Sequence, residues 1–372
     1  MRAKRMRFCL QLPAFLLAAC AGNPAGSMGN IQSRSSPKAA VDTNVARDAI
    51  EAEKIGLYAI TQNHECSVDQ AGDLNCRDPC GKEVFTGHLL APTELSVGLS
   101  FDCAVQRDGL VRCWKPREHG DTYHGVSVQA RKVAVGAAHA CAIGTDTSLV
   151  CWGRNRHGEL GRSPSPGLEL AETTVARGVV SVAAGIGFTC IVTDDGSVQC
   201  SGSNTLGQLG RFGVDSEAQF TTVPGVSGAT EVFGGLGGTV CARLADGGLM
   251  CWGDDRWGQF GDGKGVSAPS LPTTIVGVPR VRSLAVSIAH LCAITEDRSV
   301  SCWGWNGHGQ VTGTPSPQVV KPTLVPGITG AKAISLKGTL SCALLESGRV
   351  CCWGEDDACT RRGGANVFES YP

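Results

Sequence analysis

The residues with the greatest capacity for chemistry are the 19 cysteines, and most of them recur at one fixed spacing. A cysteine can act as a nucleophile, a metal ligand or half of a disulfide, and its spacing and compartment separate these roles. Structural zinc sites use cysteines that are about two to four residues apart, so a spacing of nine disfavours zinc. Fourteen cysteines form seven C-x9-C pairs: Cys66 with Cys76, Cys103 with Cys113, Cys141 with Cys151, Cys190 with Cys200, Cys241 with Cys251, Cys292 with Cys302, and Cys342 with Cys352.

Each pair is predicted to join the two strands of a β-hairpin. Cys190 and Cys200 face each other if residues 194–196 (Asp-Asp-Gly) form a three-residue turn, whose last residue favours a positive φ angle. Glycine occupies that turn position in five of the seven units, and Thr147 and Arg298 occupy it in the other two. Opposed residues of antiparallel strands lie about 4.5–5.5 Å apart, close to what a disulfide needs. We therefore expect one disulfide in each hairpin.

The N-terminus predicts export to an oxidising compartment. Residues 1–7 carry four basic side chains and no acidic one, and a mostly apolar stretch from Phe8 to Ala19 follows. This is the pattern of a secretory signal, and the stretch is shorter than the ~20 residues of a membrane-spanning helix. Residues 17–20, Leu-Ala-Ala-Cys, resemble the lipobox of bacterial lipoproteins, which implies lipidation of Cys20. Ordinary cleavage after Ala21 is the alternative, because residues 19–21 also fit the small-residue cleavage pattern.

These features divide the chain into a lipoprotein signal peptide (1–19), a flexible tether (20–48) and a folded body (49–372). Ala21 replaces the aspartate that retains lipoproteins at the inner membrane, so the resemblance implies an outer-membrane or cell-surface protein. A soluble secreted or periplasmic protein is the alternative. Loss of residues 1–19 leaves 29 basic and 34 acidic side chains. This balance disfavours nucleic acid as a partner, because nucleic-acid affinity comes largely from neutralised phosphates.

The sequence around the cysteine pairs also repeats. Successive pairs begin 37, 38, 49, 51, 51 and 50 residues apart, and a period of about 40–50 residues is typical of propeller blades. The assembled unit reads A-x-G-x-x-H-x-C-A-I-x-x-D-G-x-V-x-C-W-G-x-N-x-x-G-Q-L-G. It resembles the repeat of the regulator of chromosome condensation family, over roughly residues 50–360. The resemblance implies an all-β, seven-bladed β-propeller, in which units 1 and 2 are shortened and unit 1 departs most from the pattern.

Two sets of residues could carry function beyond the fold. His64, His139 and His290 stand at one repeat position, and we interpret them as structural because equivalent positions lie on different blades. Trp257 and Trp305 lie outside the Cys-Trp step, within Gly-rich loops. Aromatic residues on loops are favoured anchors of protein interfaces, so these two tryptophans are the predicted partner contacts.

Three cysteines remain outside the C-x9-C rule: Cys80, Cys351 and Cys359. Adjacent residues of a strand point to opposite faces, so Cys351 is expected to face away from Cys352. A bond between Cys80 and Cys359 would tie the first blade to the last. The pairing of these three stays open.

No recurring Ser/His/Asp set, carboxylate pair or metal-ligand cluster is present in the sequence, so we expect no cofactor, no metal and no enzymatic activity. We expect a monomeric, envelope-anchored propeller that contacts the membrane through its lipid alone and binds a protein or another envelope component. The first alternative is a secreted inhibitor of an enzyme such as a β-lactamase or hydrolase, because a bacterial β-lactamase inhibitor resembles this propeller. A propeller lyase or glycosidase is less favoured, as is the guanine-nucleotide exchange of cytosolic family members.

The lipobox predicts that Cys20 holds the protein on a membrane. Substitution of Cys20 by Ser removes the thiol that the lipid modifies, so we expect C20S in the soluble fraction after membrane flotation. The control is C9S, which changes a cysteine inside the signal and should leave the protein membrane-bound. Membrane attachment of C20S equal to that of C9S would refute lipidation.

Overall fold

Short apolar strands that alternate with glycine-containing turns give a structure made of β-strands. The computed structural model describes residues 55–61, 63–78, 81–115, 122–264 and 267–354. In these ranges 27 strands form seven separate sheets, and every sheet is an antiparallel meander in chain order. The sheets are the blades of a seven-bladed β-propeller, which confirms the predicted fold class. The described part of the chain has no helix with the length and apolar character to span a membrane.

The first three blades each have four strands. Blade 1 contains β1 (Ile55–Ile60), β2 (Glu65–Asp69), β3 (Asp73–Arg77) and β4 (Glu83–His88). Blade 2 contains β5 (Pro92–Val97), β6 (Asp102–Gln106), β7 (Val111–Trp114) and β8 (Thr122–Val126). Blade 3 contains β9 (Ala130–Val135), β10 (His139–Gly144), β11 (Leu149–Asn155) and β12 (Ser165–Ala176).

The next three blades repeat this order. Blade 4 contains β13 (Val179–Ala184), β14 (Phe188–Thr193), β15 (Val198–Ser203) and β16 (Ser216–Thr222). Blade 5 contains β17 (Ala229–Gly234), β18 (Thr239–Leu244), β19 (Leu249–Asp255) and β20 (Ser267–Ile275). Blade 6 contains β21 (Val281–Val286), β22 (His290–Thr295), β23 (Val300–Trp305) and β24 (Gln318–Leu324).

Blade 7 has three strands within the described residues: β25 (Ala331–Lys337), β26 (Leu340–Leu345) and β27 (Val350–Gly354). Unit 1, whose sequence departs most from the repeat, nevertheless forms a complete four-stranded blade.

A disulfide joins the second and third strands of every blade, as the spacing predicts. The two cysteines of each pair are direct partners across the hairpin, with Cα atoms 4.0–4.1 Å apart. In order from blade 1 to blade 7, the bonded residues are Cys66 and Cys76, Cys103 and Cys113, Cys141 and Cys151, Cys190 and Cys200, Cys241 and Cys251, Cys292 and Cys302, and Cys342 and Cys352.

The turn that brings each pair together is the same in all seven hairpins. The last turn residue has a positive φ angle in every one, including Thr147 (65°) and Arg298 (61°). The repeat therefore imposes its turn even where glycine is missing.

The tryptophan after the second cysteine fills the space between neighbouring blades. Trp252 and Trp303 are completely buried. The indole N–H of Trp252 donates to the carbonyl of Gln208 at 3.0 Å, and that of Trp303 donates to the carbonyl of Gln259 at 2.6 Å. Both acceptors lie in a loop of the preceding blade. One side chain thus packs an interface and fixes a loop of the neighbouring blade.

The glycine after this tryptophan is required by a close backbone approach. Gly253 has a φ angle of 93°, and an added Cβ would lie 2.0 Å from the carbonyl oxygen of Gly238. Gly202 has a φ angle of 102°, and its Cβ would lie 2.3 Å from the carbonyl oxygen of Gly187. Only glycine fits a left-handed backbone at this separation.

The connections between strands define two faces of the propeller. In a four-stranded meander, the first-to-second and third-to-fourth connections share one end, which we call the loop face. The hairpin turns and the connections to the next blade share the other end, which we call the turn face. There the carbonyl of Gly196 accepts the N–H of Ala229 in the next blade at 3.0 Å. On the loop face the N–H of Ser203 donates to the carbonyl of Gly187 at 2.7 Å.

The ring closes by direct packing of blade 7 on blade 1. Ile60 of β1 lies in one buried cluster with Leu340, Leu344 and Val350 of blade 7. The backbone N–H of Ile60 also donates to Ser335 Oγ at 2.9 Å. Apolar packing and side-chain-to-backbone hydrogen bonds therefore join the two ends of the described chain.

Loss of a single hairpin disulfide should lower the free energy of unfolding by a measurable amount. Substitution of both Cys190 and Cys200 by Ser opens a short loop, which in the chain-entropy model costs about 2–3 kcal/mol. We expect the free energy of unfolding in urea to fall by that amount under oxidising conditions. The single variant C200S breaks the same bond and should show the same loss. Wild-type stability of both variants would contradict a stabilising role for the bond.

Candidate functional site

The recurring histidines belong to the blade interfaces. All three are buried, and the Nε2 atom of each is hydrogen-bonded to a polar side chain of the next blade. In the sequence, this partner stands directly before the first cysteine of the next blade. The pairs are His64 with Asp102 (2.7 Å), His139 with Thr189 (2.9 Å) and His290 with Ser341 (2.9 Å).

Apolar pairs replace these polar pairs in other interfaces. Phe101 shares a buried cluster with Ala140, and Phe188 shares one with Val240. In these five of the seven interfaces, the residue two places before the cysteine of one blade therefore matches in polarity the residue one place before the cysteine of the next. Thr239 with Leu291 and Leu340 with Glu65 do not match. This matching shows a packing role and explains why histidine recurs in only some blades.

The histidine protonation state follows from burial and from the hydroxyl partners. Ser341 Oγ donates to the carbonyl of Gln310 at 2.7 Å, so it accepts from His290 Nε2–H. Burial lowers the pKa of His290 to about 3. Burial likewise lowers the pKa of His139 to about 4, and the nearby Glu159 charge opposes this shift. Both imidazoles are neutral at physiological pH.

One group in the described residues has the composition of a metal site. His64, Cys66 and Asp102 bring potential ligand atoms within 4.8 Å of one another. However, Cys66 is bonded to Cys76, so its sulfur is not a thiolate. Burial raises the pKa of Asp102, and the hydrogen bond with His64 opposes this shift. The group is best described as a buried His–Asp pair between blades 1 and 2.

The structure brings the two tryptophans that were predicted as partner contacts side by side. Trp257 follows β19 in blade 5, whereas Trp305 is the last residue of strand β23 in blade 6 and not part of a loop. Their ring centroids are 5.7 Å apart, and the His308 ring packs edge-on against Trp305 at 5.2 Å. Trp257 is 42% exposed. We call Trp257, Trp305 and His308 the aromatic cluster of the loop face.

A constant hydrogen-bond scaffold holds the loops that carry this cluster. We call residues 154–161, 203–210, 254–261 and 305–313, in blades 3 to 6, the display loops; each contains the last one or two residues of the third strand and the connection that follows it. In each loop a Gln or Glu side chain accepts the N–H two residues before it: Glu159 from His157, Gln208 from Leu206, Gln259 from Trp257 and Gln310 from His308. An Asn or Asp side chain accepts the N–H five residues after it: Asn155, Asn204, Asp255 and Asn306.

The residue held by the first of these bonds differs from loop to loop. These tip residues are His157, Leu206, Trp257 and His308. Tip residues pack against the next blade: a Cβ added to Gly187 would lie 3.2 Å from His157, and one added to Gly238 would lie 2.6 Å from Leu206. The scaffold thus fixes the backbone and leaves the side chain variable, as in a binding surface.

Apolar side chains lie between the display loops and the central channel. Ile186, at the first connection of blade 4, is 48% exposed. Leu236 and Ile288, at the same connection of blades 5 and 6, line the channel. The loop face of blades 4 to 6 therefore continues from the aromatic cluster to the channel mouth.

The channel is a cavity of about 540 Å³ lined by the first strand of every blade. Lys132 Nζ of blade 3 lies 3.0 Å from Glu231 Oε1 of blade 5, and Arg243 lies 3.1 Å from the other Glu231 oxygen. Burial raises the pKa of Glu94 to about 7, and the Lys132 charge opposes this shift. These charges are near the beginnings of the first strands, at the turn-face end. Sequence analysis missed them because they recur in no motif.

Several predicted site residues lie outside the described residues: Cys20, Cys80 and Cys359. Cys351 is disulfide-bonded, and its partner is not among the described residues. Its side chain lies in the cluster between blades 6 and 7, whereas Cys352 lies in the cluster with blade 1. The two neighbours therefore point to opposite faces, as predicted. Sequence analysis missed His308, although its place directly before a loop glycine matches that of Trp257.

Comparison with known proteins supports an RCC1-like propeller. Residues 130–159, 179–208 and 281–310, in blades 3, 4 and 6, match the regulator of chromosome condensation (RCC1) repeat family. No curated protein matches the sequence significantly.

Solved structures share the fold at low sequence identity. Prp20p from Saccharomyces cerevisiae is similar with a TM-score of 0.67 and 16% identity, over 83% of this chain and 85% of that one. Human WBSCR16 has a TM-score of 0.62 and 19% identity, over 74% and 79%. The CRINKLY WD40 ectodomain of the Arabidopsis thaliana receptor kinase ACR4 has a TM-score of 0.51 and 18% identity, over 81% and 95%.

The His290–Ser341 pair predicts an acid sensitivity that an apolar pair would lack. The folded protein keeps His290 neutral to about pH 3, whereas the unfolded chain protonates it below its ordinary pKa of 6.5. Stability should therefore fall as the pH drops below 6.5, by up to about 1.4 kcal/mol per pH unit for this group. The double variant H290F/S341V copies the Phe188–Val240 pair and should reduce that slope.

Urea unfolding between pH 7 and pH 4 measures this slope. The control is H88F, which removes an exposed histidine and should keep the wild-type slope. A slope of H290F/S341V equal to that of wild type would show that His290 is not the neutral, buried group described above.

Proposed function

We propose that this chain is an envelope-anchored, non-catalytic propeller that binds another protein through the loop face of blades 3 to 6. The observation that carries the proposal is the aromatic cluster. Two tryptophan rings and a histidine ring meet across two blades at the surface, and Trp257 is 42% exposed. Tryptophan is among the residues most enriched at energetic centres of protein interfaces.

The rigidity of the display loops supports binding in this place. The side chains of Gln259 and Gln310 accept the backbone N–H groups of Trp257 and His308. The buried indole N–H of Trp303 donates to the backbone carbonyl of Gln259. A surface that is ordered before association loses less conformational entropy when a partner binds. The same scaffold in four blades supplies four neighbouring contact points.

The relatives support a protein as the class of partner. The structure of Prp20p was described together with its binding to Gsp1p and histones. An RCC1-like propeller is thus a scaffold on which protein binding is known, although fold alone does not define the partner. The aromatic character of the loop face in this chain is consistent with a protein contact.

The non-catalytic part of the proposal rests on the roles that polar residues already have. His139 and His290 are neutral components of blade interfaces. The turn aspartates Asp195 and Asp297 accept hydrogen bonds from their own turns, which lower the pKa of both carboxyls. The anchoring part rests on the sequence, namely the lipobox cysteine Cys20 and the tether that follows it.

The test begins with the soluble body of the protein as bait in envelope extracts, and continues with the purified partner. We expect W257A and W305A each to weaken the Kd by about 30-fold or more, because loss of an interface anchor costs ~2 kcal/mol or more. Controls are L90A and V276A, which truncate exposed apolar residues on the turn face.

Two results would contradict this function. Equal weakening by the loop-face and turn-face variants would show that the aromatic cluster is not the contact. Turnover of a glycan substrate by the purified protein, unaffected by W257A and W305A, would favour an enzyme.

A further inference from the structure

The display loops have a charge character that points to the chemistry of the partner. Arg154 and Arg156 of blade 3 and Arg256 of blade 5 are exposed. Arg256 is bound by two hydrogen bonds, of 2.9 and 2.7 Å, to Asp254. The side chains of Arg154 and Arg156 make no ion pair or hydrogen bond with any residue that the structure describes. Their two positive charges are therefore available to a ligand.

The acidic side chains of the same loops are buried. Glu159, Asp254 and Asp255 are each 1% exposed, because they accept backbone or guanidinium hydrogen bonds inside the loops. The tip residues of the four loops, His157, Leu206, Trp257 and His308, include no acidic side chain. The exposed charge of the display loops is thus cationic, although the chain as a whole is slightly acidic.

The turn face carries charges of both signs, and its acidic groups have a structural role. Arg177, Arg280 and Arg298 lie there as ion-pair partners of Asp146, Glu296 and Glu346. Hairpin turns favour aspartate, whose carboxylate accepts the N–H groups of the turn. Asp146, Asp195 and Asp297 fill this role through Ser148, Ser197 and Ser299. These aspartates are therefore explained by the turns that they stabilise. No such role explains Arg154 and Arg156, which contribute no side-chain contact to their loop.

We propose that the partner presents an acidic segment with an aromatic or aliphatic anchor, and that this segment docks across the loop face. The inference rests on the proposed function and specifies its partner. The anchor packs on Trp257 and Trp305 beside Ile288, and carboxylates of the segment pair with Arg154 and Arg156. A guanidinium can hold a carboxylate through two parallel hydrogen bonds, so arginine suits this contact better than lysine.

This arrangement separates two contributions to binding. The exposed arginines lie away from the aromatic cluster, so they act mainly by attracting the partner, an effect that is screened by salt. The aromatic cluster excludes water from the anchor and acts mainly on the dissociation rate. The association rate should therefore fall with ionic strength, and the dissociation rate should change little.

Two labelled peptides that differ only in charge test the inference directly. One has a tryptophan flanked on both sides by glutamates, and the other has the same tryptophan flanked by lysines. Fluorescence anisotropy with the folded chain should show tighter binding of the glutamate peptide. The double variant R154E/R156E should weaken that binding at least 10-fold and reduce its salt dependence. The control R282E reverses an exposed arginine near the turn-face end of β21 and should leave the affinity within about twofold.

The same variants separate this inference from the proposed function. Loss of the natural partner in W257A with full binding in R154E/R156E would preserve the function and overturn the acidic segment. Tighter binding of the lysine peptide, or equal loss in R282E, would also overturn it. Self-association of the purified chain that W257A abolishes would assign this face to a second copy and overturn it as well.

Discussion

The contact on which the loop face of blades 4 to 6 most depends is the hydrogen bond from a buried tryptophan of one blade to a loop carbonyl of the preceding blade. The Trp303 ring fills the interface, and its N–H donates to the carbonyl of Gln259 at 2.6 Å. The Gln259 side chain in turn accepts the N–H of Trp257 at 2.7 Å. Because the buried indole N–H of Trp303 has its acceptor in this loop, packing of the core also positions the exposed ring. Trp252 and Gln208 repeat the arrangement one blade earlier.

Much of the fold could be predicted because the same sequence pattern recurs in every blade. The C-x9-C spacing predicts the hairpin register, and seven copies predict seven blades. Thr147 and Arg298 show how strong the repeat is, since both adopt the positive φ angle that glycine adopts elsewhere. Closure of the ring could not be predicted, because the pattern within each unit does not show how the first and last blades meet. The bond of Ile60 with Ser335 that joins them has the same repeat positions as the bond of Val135 with Ser96 between blades 2 and 3. The pairing of side chains between blades, such as His64 with Asp102, could be predicted only by comparing the sequences of adjacent units.

The candidate site was predictable in its members but not in its geometry. Trp257 and Trp305 are conspicuous as tryptophans outside the Cys-Trp step. Their approach to 5.7 Å depends on the rotation between blades 5 and 6, which no local pattern contains. The arginines were missed for the opposite reason, because isolated exposed charges on loops are common. The structure shows that the acidic side chains Glu159 and Asp255 of the same loops are buried, so the exposed charge that remains there is that of the arginines.

In the function proposed above, the fold presents one rigid, aromatic and cationic face to a protein partner. Hydrogen–deuterium exchange of the chain, alone and in complex with its partner, shows which face is covered. We expect slower exchange in the display loops, at residues 154–158, 256–259 and 305–309. Hairpin-turn residues 194–197, 246–248 and 297–299 should exchange at unchanged rates. Slower exchange in these turns, with unchanged display loops, would place the partner on the turn face and refute binding through the aromatic cluster.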